Sequence, residues 1–129
     1  MRLLERLPNG NIRLTGPFSE NVIPKYAILS HRWEEDPNQE VDYGDMVKGL
    51  GHDKAGYKKI TFCGEQAAKD NLRYFWVDTC CIDKSCAGEH QKAINSMCRW
   101  YQRAEKCYVF LSDVSTNKRV MYDDDAQST

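Results

Sequence analysis

Tyr26-Ala27-Ile28-Leu29-Ser30-His31-Arg32 is the stretch from which the fold is read. A nearly continuous apolar run that ends in polar residues is the pattern of a strand covered on both faces, as in a parallel sheet. Two later runs repeat it. Phe75-Trp76-Val77-Asp78-Thr79-Cys80-Cys81-Ile82 reads as a buried strand over 74–82, and Tyr108-Val109-Phe110-Leu111 reads as a third strand ending at Ser112-Asp113. Between the first two, Tyr57, Ile60, Cys63, Ala67 and Ala68 recur at helical spacing, and Asn71 follows where a left-handed C-terminal residue is wanted. Between the second and third, Ala93, Ile94, Met97, Cys98, Tyr101 and Ala104 repeat that period. Glu89 stands near its start, where the helix dipole favours an anion. Strand, helix, strand, helix, strand, with helices of crossover length, predicts an α/β fold with a parallel sheet and flanking helices.

Working outward, residues 1–25 carry short apolar alternations around Asn9-Gly10, which predict a small antiparallel hairpin with a type I′ turn. Residues 33–54 are polar and broken by Gly44, Gly49 and Gly51, so they read as a long connection with one helical turn near 45–50. Residues 115–129 are too polar to bury and read as a disordered acidic tail. The domain is therefore placed at 1–114, with the hairpin in 1–25 and the core in 26–114. Three strands make a thin sheet, truncated at its C-terminus, and the third strand is an open edge unless something covers it.

The chain has 129 residues, 18 Lys and Arg against 19 Asp and Glu, and a net charge of −1. That balance gives no field to gather polyanions, so nucleic acid is not an expected partner. No apolar run approaches the ~18 residues of a membrane span, and no signal-peptide core follows the charged opening, so a cytoplasmic protein without membrane contact is expected. Six cysteines fall short of the ~8–10% of a disulfide scaffold and lie in apolar segments, so they read as reduced thiols. Adjacent residues of a strand face opposite ways, which argues against a Cys80–Cys81 disulfide.

Ligands of such sheets bind outside the carboxyl ends of the strands, where strand order reverses. Those ends carry Ser30-His31-Arg32-Trp33-Glu34-Glu35, Asp83-Lys84-Ser85 and Ser112-Asp113. With the first strand central, its loop lines the cleft. Ser30, His31, Arg32 and Trp33 supply a hydroxyl, an imidazole, a cation and an aromatic face, a set suited to a phosphate-bearing ring, with Asp83 and Asp113 as further binding candidates. Core packing is the favoured role for Trp33, as for Met97, Trp100 and Tyr101. Asp78 inside an apolar run needs a partner, and a backbone amide, a neighbouring strand residue or Arg32 would serve. A cysteine hydrolase pairing Cys80 or Cys81 with His31 is disfavoured, because both thiols lie before the strand end. Zinc on Cys81, Cys86 and His90 lacks a CxxC pair and a fourth ligand, so no metal is expected. Asp123-Asp124-Asp125 reads as a solvated run.

The segments Tyr26 to Trp33, Gly56 to Ile60, Trp76 to Lys84, Ala93 to Tyr101 and Cys107 to Val114 resemble, in order and spacing, the fungal heterokaryon-incompatibility (HET) domain. The resemblance implies a flavodoxin/TIR-like sheet and a cytosolic module of self/non-self recognition whose activation triggers cell death. It also implies protein partners or self-association, through the open sheet edge and the helix faces. Some TIR domains cleave NAD at the nicotinamide–ribose bond, and a carboxylate near the ribose would stabilise that transition state. On that alternative NAD is a substrate and Glu89 and Glu34 are the catalytic candidates. The bland reading makes Glu89 a helix-start anion and Glu34 part of a solvated loop. The family pattern continues after the third strand with a Trp-Thr-Leu-Gln-Glu-like motif, and nothing after Val114 matches it. The signalling and interaction module is therefore placed ahead of the NAD hydrolase.

Overall fold

The computed structural model describes residues 1–110 and 121–122. Six strands form one sheet: β1 (Leu3–Arg6), β2 (Ile12–Thr15), β3 (Tyr26–His31), β4 (Tyr74–Trp76), β5 (Lys106–Phe110) and β6 (Met121–Tyr122), in the order β2-β1-β4-β3-β5-β6. Four helices connect them: α1 (Tyr43–Lys48), α2 (Tyr57–Lys69), α3 (Asp78–Cys81) and α4 (Ala87–Arg103).

β3 runs parallel to β4 on one side and to β5 on the other, with Ile28 opposite both Trp76 and Cys107. The first core strand is thus central, as the cleft argument required. The parallel strands stand in the order second, first, third, with which flavodoxin-type sheets begin. Right-handed crossovers to opposite sides put α2 and α4 on opposite faces. Phe75 packs on Gly64 of α2, while Trp76 meets Trp100 and Tyr101 of α4 edge-on. Trp76, Phe75, Ile28, Leu29 and Tyr108 are fully buried, each worth roughly 1.5–3 kcal/mol or more relative to exposure.

The three core strands β4-β3-β5 are parallel as expected, and the antiparallel N-terminal hairpin extends their sheet with β1 antiparallel to β4. Three expectations need correction. The hairpin itself does not close through a type I′ turn. Gly10 N–H reaches Leu7 O at 2.8 Å and Gly10 takes a positive φ of 91°, whereas Asn9 does not, which is a type I turn followed by a bulge glycine. The strand predicted over 74–82 stops at Trp76, and residues 78–81 form a helical turn instead. A short apolar run does not distinguish a buried strand from a buried turn of helix, and Asp78 favours a helix start. Finally, β6 pairs with β5 at Tyr108↔Tyr122 and Val109↔Met121, so β5 is not an open edge there. The rest of the predicted tail, with Ser112, Asp113 and Asp123 to Asp125, lies outside the described residues.

Candidate functional site

At the carboxyl ends of β3 and β4 the chain buries a line of charged groups. β3 delivers His31 and the turn after β4 delivers Asp78 at the start of α3. His31 Nε2 lies 2.7 Å from Asp78 Oδ1, and Nδ1 lies 3.1 Å from the Arg32 carbonyl oxygen. Both partners accept, so the ring satisfies both contacts only with a proton on each nitrogen. Burial alone would raise the Asp78 carboxyl, but the hydrogen bond and charge of His31, with the charge of Lys84 and a bond from Trp33, outweigh it and hold the pKa below the ordinary range. Asp78 thus has a neighbouring-strand partner, one of the three anticipated.

The Arg32 carbonyl also accepts from Lys59 Nζ of α2 at 3.0 Å. Lys59 is 1% exposed and pairs with Glu40 Oε2 at 2.9 Å, with Glu34 Oε2 further off at 3.5 Å. Glu40 Oε2 accepts the Glu34 backbone N–H at 2.5 Å. A continuous polar path therefore runs from Asp78 through His31, the Arg32 carbonyl and Lys59 to Glu40. It ties α3, β3, α2 and the 33–56 connection together. The close approach of that connection to α2 needs Gly56, since a Cβ there would lie 2.7 Å from the Gln39 carbonyl oxygen and 3.1 Å from Glu40 Oε1.

Above this path Trp33 stands 55% exposed, with Lys84 Nζ 3.9 Å from the centre of its ring. The expectation that Trp33 packs into the core is wrong. The Arg32 peptide is held from below by His31 and Lys59, which leaves the next side chain on the rim. Burial lowers the Lys84 pKa, against the pull of Asp78 and Glu40. Ser30 is half-buried in β3, opposite Val109, and Arg32 is exposed.

The second group of predicted residues sits further along the same edge. Asp83 Oδ1 accepts from Ser85 N–H at 3.1 Å and Oγ at 2.5 Å, an Asx turn. Glu89 Oε2 accepts the Asp83 N–H at 2.9 Å and binds Arg2, which also lies over the Tyr43 ring. Burial would raise the Glu89 carboxyl, yet Arg2 and the Asp83 amide pull it below the ordinary range. Glu89 borders a cleft of about 540 Å³ lined by Phe18, Trp76, Ile82 and Trp100. His31, Trp33, Glu34 and Asp78 are thus brought together, while Glu89 and Asp83 form a separate cluster. Glu34 is not simply a solvated loop residue, because it faces Lys59.

The cysteine-hydrolase alternative loses its base, because both His31 nitrogens face oxygen acceptors. Cys80 is deeply buried, and burial raises its thiol pKa well above the usual value. Cys80 and Cys81 are adjacent on one helical turn, not on opposite faces of a strand, and both thiols are free. Among the described residues no three His, Cys, Asp or Glu side chains are grouped to hold a metal ion. Sequence reasoning missed Lys59 and Glu40. The available signals were the place of Lys59 beside Phe62 and Cys63 on the apolar side of α2, and the pairing of Glu40 with buried Val41 in an otherwise polar stretch.

This arrangement fixes a loop and presents an aromatic rim. Against known proteins, the family model "Heterokaryon incompatibility protein (HET)" matches residues 26–128. The vegetative incompatibility protein HET-E-1 of Podospora anserina is 57% identical over 119 residues, covering 92% of this chain. The chain belongs to the HET family. It spans 9% of the length of HET-E-1, so the match concerns one part of that protein. No solved structure matches the chain. In this HET domain the buried path and its Trp33 rim occupy the strand-end position where α/β sheets carry their ligand sites. No helix among the described residues is long and apolar enough to cross a membrane.

Proposed function

We propose that this HET domain is a signalling and interaction module of fungal self/non-self recognition, acting in the cytoplasm to trigger cell death when incompatible cells fuse. The observation that carries the reading is the 57% identity to a vegetative incompatibility protein across nearly the whole chain. The geometry agrees with a contact role. Trp33 stands exposed over a buried ionic mount with half-buried Lys84 against its ring, and an exposed aromatic side chain on a fixed backbone is what protein interfaces use as an anchor. Its partners are proteins, another copy of the domain included, meeting this rim, the helix faces or the β2 edge of the sheet.

The test is inducible expression of the chain in a filamentous fungus, alone and fused to a chemical dimeriser, with hyphal death scored by vital-dye uptake. Death on induction, reduced by Trp33→Ala at equal protein level, is the expected result. Accumulation of folded protein with full viability in both formats overturns the proposal.

A further inference from the structure

At the opposite end of the sheet a carboxylate is buried for a reason the strand-end site does not supply. Glu5 of β1 is 1% exposed, yet the two cations that meet it are surface residues. Arg13 of β2 donates from Nε to Glu5 Oε1 at 2.8 Å, and Arg73, just before β4, donates from Nε to Oε2. Their side chains are 60% and 67% exposed. Register explains the meeting, since Glu5 stands opposite Arg13 on one side and Tyr74 on the other. Burial would raise the Glu5 carboxyl, and the two arginines pull it below the ordinary range, so it is an anion in the folded protein.

One anion thus holds two cations, leaving the cluster one negative charge short. Each guanidinium uses only its Nε–H, so the amino groups of both have no hydrogen-bond partner among the described residues. Arg73 is further steadied over the Tyr74 ring, 5.7 Å from its centre. Among the described residues the carboxylate that acts on Arg73 is that of Glu5. A buried carboxylate that fixes two neighbouring guanidinium groups by one edge leaves their other edges pre-oriented, and pre-orientation removes much of the entropy that binding otherwise costs.

We infer that Arg13 and Arg73, oriented by Glu5, form a binding site for a phosphate group. A phosphomonoester carries about −1.5 to −2 charge and three acceptor oxygens, which two guanidinium groups match better than does a single carboxylate. The site is independent of the strand-end rim and of the proposed recognition role.

The experiment is a titration of the intact chain with inorganic phosphate and, separately, with phenyl phosphate, following the arginine Nε–Hε resonances by NMR. Saturable shifts of both Arg13 and Arg73 are expected. Binding should weaken about tenfold in Arg73→Lys and in Arg13→Lys, which keep the charge and lose the fork, the size of one charge-assisted hydrogen bond. Lys58→Gln, which removes an exposed cation away from the site, on α2, should leave binding unchanged. Tighter binding of phenyl phosphate identifies an ester as the ligand, and equal binding identifies the free anion. Shifts that do not saturate, or that survive both lysine variants in proteins whose amide spectra remain native, overturn the site.

Discussion

Lys59→Met removes one ammonium from the buried path and keeps nearly the volume of the side chain, so its effect isolates charge from packing. Lys59 and Glu40 are 1% and 9% exposed at the side chain, so the variant strands a carboxylate that has almost no water to turn to. Glu40 Oε1 already lacks a partner, and Oε2 would keep only the Glu34 N–H. Breaking a buried pair from one side costs about 3–5 kcal/mol. With an unfolding entropy near 2.1 cal/mol/K per residue, a chain of 129 residues loses roughly 11–18 °C of Tm. Replacing both partners, Lys59→Met with Glu40→Leu, removes the stranded charge and leaves the lost bonds to Arg32 O and Glu34 N–H. Stability should return to within about 1–3 kcal/mol of the parent. Urea unfolding followed by circular dichroism measures all three proteins. A single variant that loses less than about 1 kcal/mol, or a double variant no better than the single, refutes the reasoning that an unpaired buried charge is the cause.

Asp78→Asn should cost about 1.5–3 kcal/mol at neutral pH, the value of a hydrogen bond to a charged group. Because folding lowers the Asp78 pKa, its contribution is complete above the ordinary carboxylate value and is lost as pH falls through the lower folded value. The stability gap between parent and variant should therefore shrink from about pH 5 toward pH 2, and a constant gap in urea midpoints would contradict the assignment. Gly56→Ala should destabilise by about 1–3 kcal/mol although Gly56 has a helical φ of −64°, because the new methyl group meets the Gln39 carbonyl oxygen; a variant as stable as the parent on thermal unfolding would show that the connection yields. Trp33→Ala should cost about 1–3 kcal/mol on urea unfolding, because it loses both the contact with Lys84 and the hydrogen bond to the Asp78 carboxylate, while lowering dye uptake in the fungal assay at equal protein level.

What the sequence made legible follows from period and length. α2 and α4 are long enough for a 3.6-residue pattern to stand out, and both lie where Tyr57 to Ala68 and Ala93 to Ala104 predict them. β3 and β5 were legible as apolar runs ended by polar residues. The segment after Trp76 was not, because Val77 to Ile82 is apolar throughout except for Asp78 and Thr79 and carries no period that separates four residues of helix from a strand. At the site, His31 and Asp78 were legible as an imidazole at a strand end and a carboxylate in need of a partner. Lys59 was not, because Lys58-Lys59 looks like two solvated cations. The contrast between exposed Lys58 and buried Lys59 arises only when the 33–56 connection folds over α2. Trp33 failed in the other direction, since its hydrophobicity points inward while its backbone, fixed by neighbours remote in sequence, turns it outward.

The buried path is better understood as a device for direction than as a source of stability. Desolvating the ions Lys59, Glu40 and Asp78 costs several kcal/mol each, which the attractions along the path do little more than offset, and an apolar cluster of the same volume would serve the core as well. An apolar cluster could not hold the Arg32 carbonyl oxygen, however. That oxygen lies 3.1 Å from His31 Nδ1 and 3.0 Å from Lys59 Nζ, one donor from the strand it ends and one from the helix that crosses over it. Two donors fixed on different elements leave the 32–33 peptide a single orientation, and that orientation decides where Trp33 stands. The ionic residues therefore convert the packing of α2 and α3 against the sheet into a defined position for one exposed side chain, which is the property a recognition surface needs and a hydrophobic core cannot provide.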